Sequence, residues 1–177
     1  MKKYFLAILL LALVVMASGC VTNTTNQTKN YSANGVSFQY PANWTLQNAT
    51  NNNITGIMVV DADFNRTNGT LGSLATIIMG PQANSADLAT FKNNITSEAK
   101  SSGVNVTNAT VSIAGLTANA TTLTGTDNST NQIYVQLIDF SKNNKSFIIF
   151  LEAIGSSTAV DNAKAGFDVI IKSFKVE

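Results

Sequence analysis

The chain has 177 residues, with 11 Lys/Arg set against 10 Asp/Glu, no histidine and a single cysteine. Charged residues make up only 12% of it, which leaves no basic stripe for a nucleic-acid backbone. The missing histidine excludes a Ser-His-Asp triad and the lone cysteine excludes an internal disulfide. Histidine- or thiolate-based metal sites are excluded too, so only oxygen ligands suited to hard cations remain.

In chain order, Lys2 and Lys3 precede an apolar run over residues 4–16, closed by Ala17-Ser18-Gly19-Cys20. A basic start, a short apolar core and a small-residue cleavage site read as a secretory signal. Three small residues before a cysteine resemble a lipobox, with Ala17 in the place where leucine is most common. The expectation is a lipoprotein-type signal over residues 1–19 and lipid attachment at Cys20, the membrane being a partner through that lipid. An uncleaved helix needs roughly 18 apolar residues, a length this run reaches only by absorbing Ser18 and Gly19. Residues 20–30 are polar after Val21 and read as the lipidated cysteine and a flexible tether, ahead of a single domain over residues 31–177. Lys2 and Lys3 leave with the signal, so nine basic groups then face ten acidic ones.

Within the domain, residues 35–40 alternate apolar and polar side chains until Pro41 stops the strand before Trp44. Residues 56–62 and 71–79 are apolar and β-branched, and the turn-rich segment 65–69 between them predicts a hairpin. Ser85 is placed to cap a helix that presents Leu88, Phe91, Ile95 and Ala99 on one face and ends at Gly103. Four further strands are predicted over residues 104–113, 116–125, 132–140 and 146–154, with turns at Gly115, Asp127-Asn128 and Asn143-Asn144. The last strand is apolar on both faces from Phe147 to Leu151, so it belongs at the centre of the sheet with cover on each side. A capping box at Thr158 opens a second helix carrying Val160, Ala163, Phe167, Ile170, Ile171 and Phe174, and residues 174–176 return as a short strand. Consecutive strands favour an α+β fold, an antiparallel sheet of about six to eight strands flanked by two helices.

Two ends of this pattern carry a family resemblance. Asn34-Gly35-Val36-Ser37-Phe38-Gln39-Tyr40-Pro41-Ala42-Asn43-Trp44 resembles the opening of PsbP-like domains, where a strand ends in a Tyr-Pro-x-x-Trp turn. Ile170-Ile171-Lys172-Ser173-Phe174 resembles their close. The resemblance implies an α/β/α sandwich and a non-enzymatic extrinsic binding or assembly factor for a membrane complex. It supplies no functional residue that can be matched position by position.

Asn-x-Ser/Thr occurs 14 times among 22 asparagines, where a Ser+Thr fraction of about one fifth gives four or five by chance. Within the domain these include Asn43, Asn48, Asn65, Asn68, Asn105, Asn108, Asn119, Asn128 and Asn144 as N-glycosylation candidates. Dense sequons suggest an extracellular, archaeal cell surface, and side chains that face water.

Asp61, Asp63 and Asn65 alternate as the first half of a calcium loop would, but Arg66 stands where an EF-hand needs glycine and Gly72 where it needs glutamate. Asp161 and Asp168 are spaced to pair with Lys164, and Glu152 interrupts an apolar strand, where it reads most simply as a strand end rising into solvent and otherwise as a charge facing a groove, an edge or a partner. No phosphate-loop or dinucleotide motif is present, so neither a nucleotide nor another cofactor is expected. The functional expectation is a lipid-anchored accessory module at the outer face of the cytoplasmic membrane, with a membrane-complex protein as partner. A structural, glycosylated envelope component and a weak calcium-binding module are the alternatives.

Overall fold

The computed structural model describes residues 27–51, 54–81, 85–101 and 103–177. Residues 1–26, with the signal and Cys20, lie outside them. The elements in chain order are β1 (Thr28–Ala33), β2 (Val36–Pro41), β3 (Thr45–Asn51), β4 (Ile54–Val60), α1 (Ala62–Arg66), β5 (Gly72–Pro81), α2 (Ser85–Ser101), β6 (Asn105–Ile113), β7 (Leu116–Thr126), β8 (Gln132–Lys142), β9 (Lys145–Gly155), α3 (Ser157–Ser173) and β10 (Lys175–Val176). Seven strands form one antiparallel sheet in the order β3-β4-β5-β9-β8-β7-β6, and a three-stranded sheet has the order β1-β2-β10. The predicted α+β class and antiparallel sheet are borne out, and β9 holds the middle place that its double-sided apolar run required.

Alternation along the central strands divides the sheet into two faces. On the first, Ile57, Val59, Ala75, Ile77, Phe147, Ile149, Leu151 and Ala153 are buried under α3 and the small sheet. Phe167 of α3 stacks on Tyr134 at 6.3 Å and meets Trp44 edge-on at 5.7 Å, while Phe174 lies 5.9 Å from Phe38 and 6.1 Å from Phe147. These rings join the small sheet, α3 and the main sheet in one core. On the second face Phe91, Ile95 and Ala99 of the predicted α2 stripe pack against Leu123, Val135, Leu137 and Ile148, the fourth member, Leu88, having its side chain outside the described part.

The Pro41-x-x-Trp44 turn works as a packing device against α3. A Cβ at Gly166 would stand 3.0 Å from the Trp44 ring and 3.1 Å from Pro41 Cγ, so a glycine in mid-helix is what lets the turn come this close.

Several expectations need correction. Strand β1 begins at Thr28, three residues inside the expected tether. It and β3 carry no apolar alternation: β1 buries only Tyr31, which stacks on Phe38 at 5.1 Å, and both strands are held by backbone pairing. The tip of the 56–79 hairpin is the short helix α1 rather than a plain turn. Helix α3 is capped by Ser156, whose hydroxyl accepts from the Ala159 N–H at 3.2 Å, and Thr158 lies inside the helix. Lys164 pairs with Asp161 at 3.2 Å, whereas Asp168 takes Lys172 at 2.7 Å, one turn further on. Glu152 is not at a rising strand end: β5 and β9 pair beyond it, with Ser73 opposite Ala153 and Gly72 opposite Ile154.

Two stability measurements check this packing. Gly166→Val is expected to cost about 1–3 kcal/mol in denaturant unfolding, because the branched side chain has no room under Trp44. Ser156→Ala should cost about 1 kcal/mol and Thr158→Ala less than about 0.5 kcal/mol; the reverse order would return the cap to Thr158.

Candidate functional site

Chemistry on this molecule gathers on the second face of the main sheet. Lys92 follows Phe91 on α2 and reaches across to Asp139 on β8 in a close ion pair, the lysine side chain being 20% exposed and the aspartate 37%. Beside them lies a hollow of about 480 Å³, lined by Ala89, Thr117, Asn119, Phe140, Ser141 and Ser146 among others. Register places Asn119 opposite Asp139 and Ser141 opposite Ser146, and the two serine hydroxyls meet at 3.1 Å. A concave site with a few convergent polar groups has the form of a ligand seat. In it the lysine is bonded to a carboxylate, and the serines are bonded to each other.

The same face changes character towards β4 and β5. Met58, Leu74, Thr76, Phe150 and Ile154 are only half-buried, and a Cβ added at Gly56 would meet no atom within 4 Å. Glu152 stands in this strip, between Leu74 and Val135 in register and on the same side as Phe150 and Ile154. It makes no hydrogen bond or ion pair with the described residues, and burial pushes its carboxyl above the usual carboxylate range. A second hollow, about 470 Å³, lies at the end of α3 beside Lys142, Lys172 and Lys175. There Lys142 Nζ donates to the Ala114 carbonyl at 2.5 Å and Lys172 is held by Asp168.

The residues singled out by sequence take separate local roles. Asp61 caps α1, its Oδ1 accepting from the Phe64 N–H at 2.7 Å, and Asp63 pairs with Arg66 at 2.8 Å. Asn65 is exposed on that helix. A Cβ at Gly72 would stand 2.2 Å from the Phe64 nitrogen, so no ligating side chain fits there. Among the described residues no group of three or more His, Cys, Asp or Glu is arranged to hold a metal ion. Asn23, Asn26 and Asn53 of the sequons lie outside the described residues. Asn43, Asn48, Asn65, Asn68, Asn105, Asn108, Asn119, Asn128 and Asn144 are exposed. Two of them are engaged: Asn48 Nδ2 donates to the Tyr31 hydroxyl at 3.2 Å, and Asn108 Oδ1 accepts from the Thr121 hydroxyl at 2.9 Å.

Sequence reasoning passed over Lys92 and Asp139. One signal was there: Asp139 continues the alternation of Val135 and Leu137, which places an acid on a core-facing side of β8. Its partner stands 47 residues away, a distance that only the folded sheet closes.

Among the described residues no helix is long and apolar enough to cross a membrane. No curated protein matches the sequence. The solved structures similar to the chain include these three. A protein from Bacteroides thetaiotaomicron has 13% identity and a TM-score of 0.49 over 86% of this chain and 49% of its own, so the chain spans about half of that structure. The cyanobacterial PsbP (CyanoP) of Synechocystis sp. PCC 6803 has 14% identity and a TM-score of 0.49 over 90% and 98%. LpqN of Mycobacterium tuberculosis, described as involved in cell envelope biogenesis, has 10% identity and a TM-score of 0.42 over 85% and 90%. The sequence matches the family described as PsbP-like protein over residues 16–176, and the chain belongs to that family.

Proposed function

We propose that the protein is a non-enzymatic accessory module, tethered by lipid on Cys20 to the outer face of a prokaryotic membrane, which binds a membrane-complex protein through the second face of its main sheet. The observation that carries the reading is the unequal cover of the two faces. Strands β4, β5 and β9 are buried on one side under α3 and the small sheet, while on the other, where Val60, Ile78 and Ile148 are buried, Met58, Leu74 and Thr76 stay half-buried beside an open Gly56. A partly covered apolar strip of this kind on a folded domain supports an interaction surface there. The state of the Lys92–Asp139 hollow supports binding over turnover, because a serine nucleophile is activated by a base bonded to its hydroxyl. Here Lys92 is taken by Asp139, and the two serine hydroxyls by each other. The tether is supported by the order of the first twenty residues, a basic start, a short apolar run and three small residues before Cys20.

A glycosylated structural component of the envelope is the second reading, favoured by the exposure of the sequon asparagines named above.

Native membranes carrying three versions of the chain test the proposal. The parent chain should stay with the membrane and run on a native gel above monomer mass. Cys20→Ser should move to the medium. Gly56→Gln should stay on the membrane with unchanged melting temperature and run as a monomer, because its new side chain meets nothing within the fold but obstructs the strip. A Cys20→Ser chain retained on the membrane would contradict the anchor, and a Gly56→Gln chain with parental mobility would contradict the surface.

A further inference from the structure

We propose that the open strip docks a segment of its protein partner that carries a lysine or arginine between apolar side chains, with the cation seated on Glu152. The inference rests on the reading that this face is the binding surface, and adds the chemistry of what it binds.

Glu152 is in the middle strand of a seven-stranded sheet, opposite Leu74 on one side and Val135 on the other, with Phe150 and Ile154 as its same-face neighbours along β9. Buried or half-buried carboxylates are normally paired, since taking the charge from water is repaid only by a cation or hydrogen-bond donors. Neither flanking strand provides a cation: the facing positions of β5 are Leu74 and Thr76, those of β8 are Ile133 and Val135, and the Thr76 hydroxyl makes no bond to the carboxylate. Other charged groups of this chain found partners, among them Lys92 with Asp139 and Lys172 with Asp168. An acid unpaired among the described residues and set between apolar walls is complementary to one kind of group, a cation carried on an apolar stem. Lysine and arginine have that construction, burying the stem and presenting the charged head. Dense local apolar contact would supply the affinity, and the single charge would fix register and exclude acidic competitors.

Three probes of equal chain length test this on the folded domain: hexylammonium, hexanol and hexanoate, titrated at pH 7 with backbone amide shifts as the readout. Hexylammonium is expected to shift amides of residues 74–76, 133–135 and 150–154, and to bind about ten- to a hundredfold more tightly than hexanol, the range for a hydrogen bond to a charged group. Hexanoate should bind no more tightly than hexanol. Glu152→Gln should abolish the preference for the cation while leaving the dispersion of the spectrum unchanged. Equal binding of all three probes at this strip would overturn the cation seat and leave the surface standing. Absence of shifts there, or shifts confined to another part of the chain, would overturn both. Self-association that Glu152→Gln removes would identify the cation as one from a second copy of this chain and overturn the assignment to a different protein.

Discussion

The structure depends on closing both sides of β9. A strand that reads Phe147, Ile148, Ile149, Phe150, Leu151 has no polar side to offer water, so the fold must place it centrally and supply a layer above and below. Helix α3 supplies one layer almost completely, through Phe167, Ile170 and Ile171, with the small sheet filling in by way of Phe38 and the turn that follows β2 by way of Trp44. Helix α2 supplies the other layer over β7 and β8, and over part of β9. The helix is narrower than the sheet and α1 covers only the Gly72 end of β5, so the face is partly open between them, around β4 and the middle of β5. The functional proposals follow from that shortfall.

Two polar devices mark its borders. At one end Lys92 brings a charge from α2 to Asp139 on β8, an ion pair in which neither member is left alone. Four residues beyond Ile148, which faces Asp139 in register, Glu152 has no such helper among the described residues. The two acids occupy the same face of adjacent strands and differ only in whether α2 passes overhead. The physical state of each follows from the path of one helix, and the contrast locates where an external partner is needed.

Much of this was legible in sequence for identifiable reasons. The strands that alternate or run apolar, β2 and β4 to β9, are driven by burial and were found close to their true limits. The α2 and α3 stripes were found on the same ground. What escaped were elements held by backbone pairing with little side-chain burial: the TKNYSA of β1 and the TLQNATN of β3, whose composition reads as loop or tether. Helix α1 escaped because a five-residue helix has no period to detect, and Asp61 caps it with the same oxygen that suggested a calcium ligand. The cap of α3 was misplaced by two residues because Ser156 and Thr158 both satisfy the composition of a start, and only backbone geometry chooses between them. At the site, Glu152 was visible as an acid in the wrong place. Its isolation was not, since register and the course of α2 decide it.

The most direct test of the account is the melting temperature of Glu152→Gln against the parent chain at pH 3 and pH 7. Burial raises the folded-state pKa of this carboxyl, so ionising it destabilises the fold. The cost is absent below the ordinary carboxylate range, grows as pH rises from there to the raised folded value, and is constant above it. The account therefore predicts that the glutamine variant melts higher than the parent at pH 7 and at the same temperature at pH 3. A variant that melts lower at pH 7 would mean that Glu152 has a favourable partner within its own chain, and the open, unpaired strip would have to be given up.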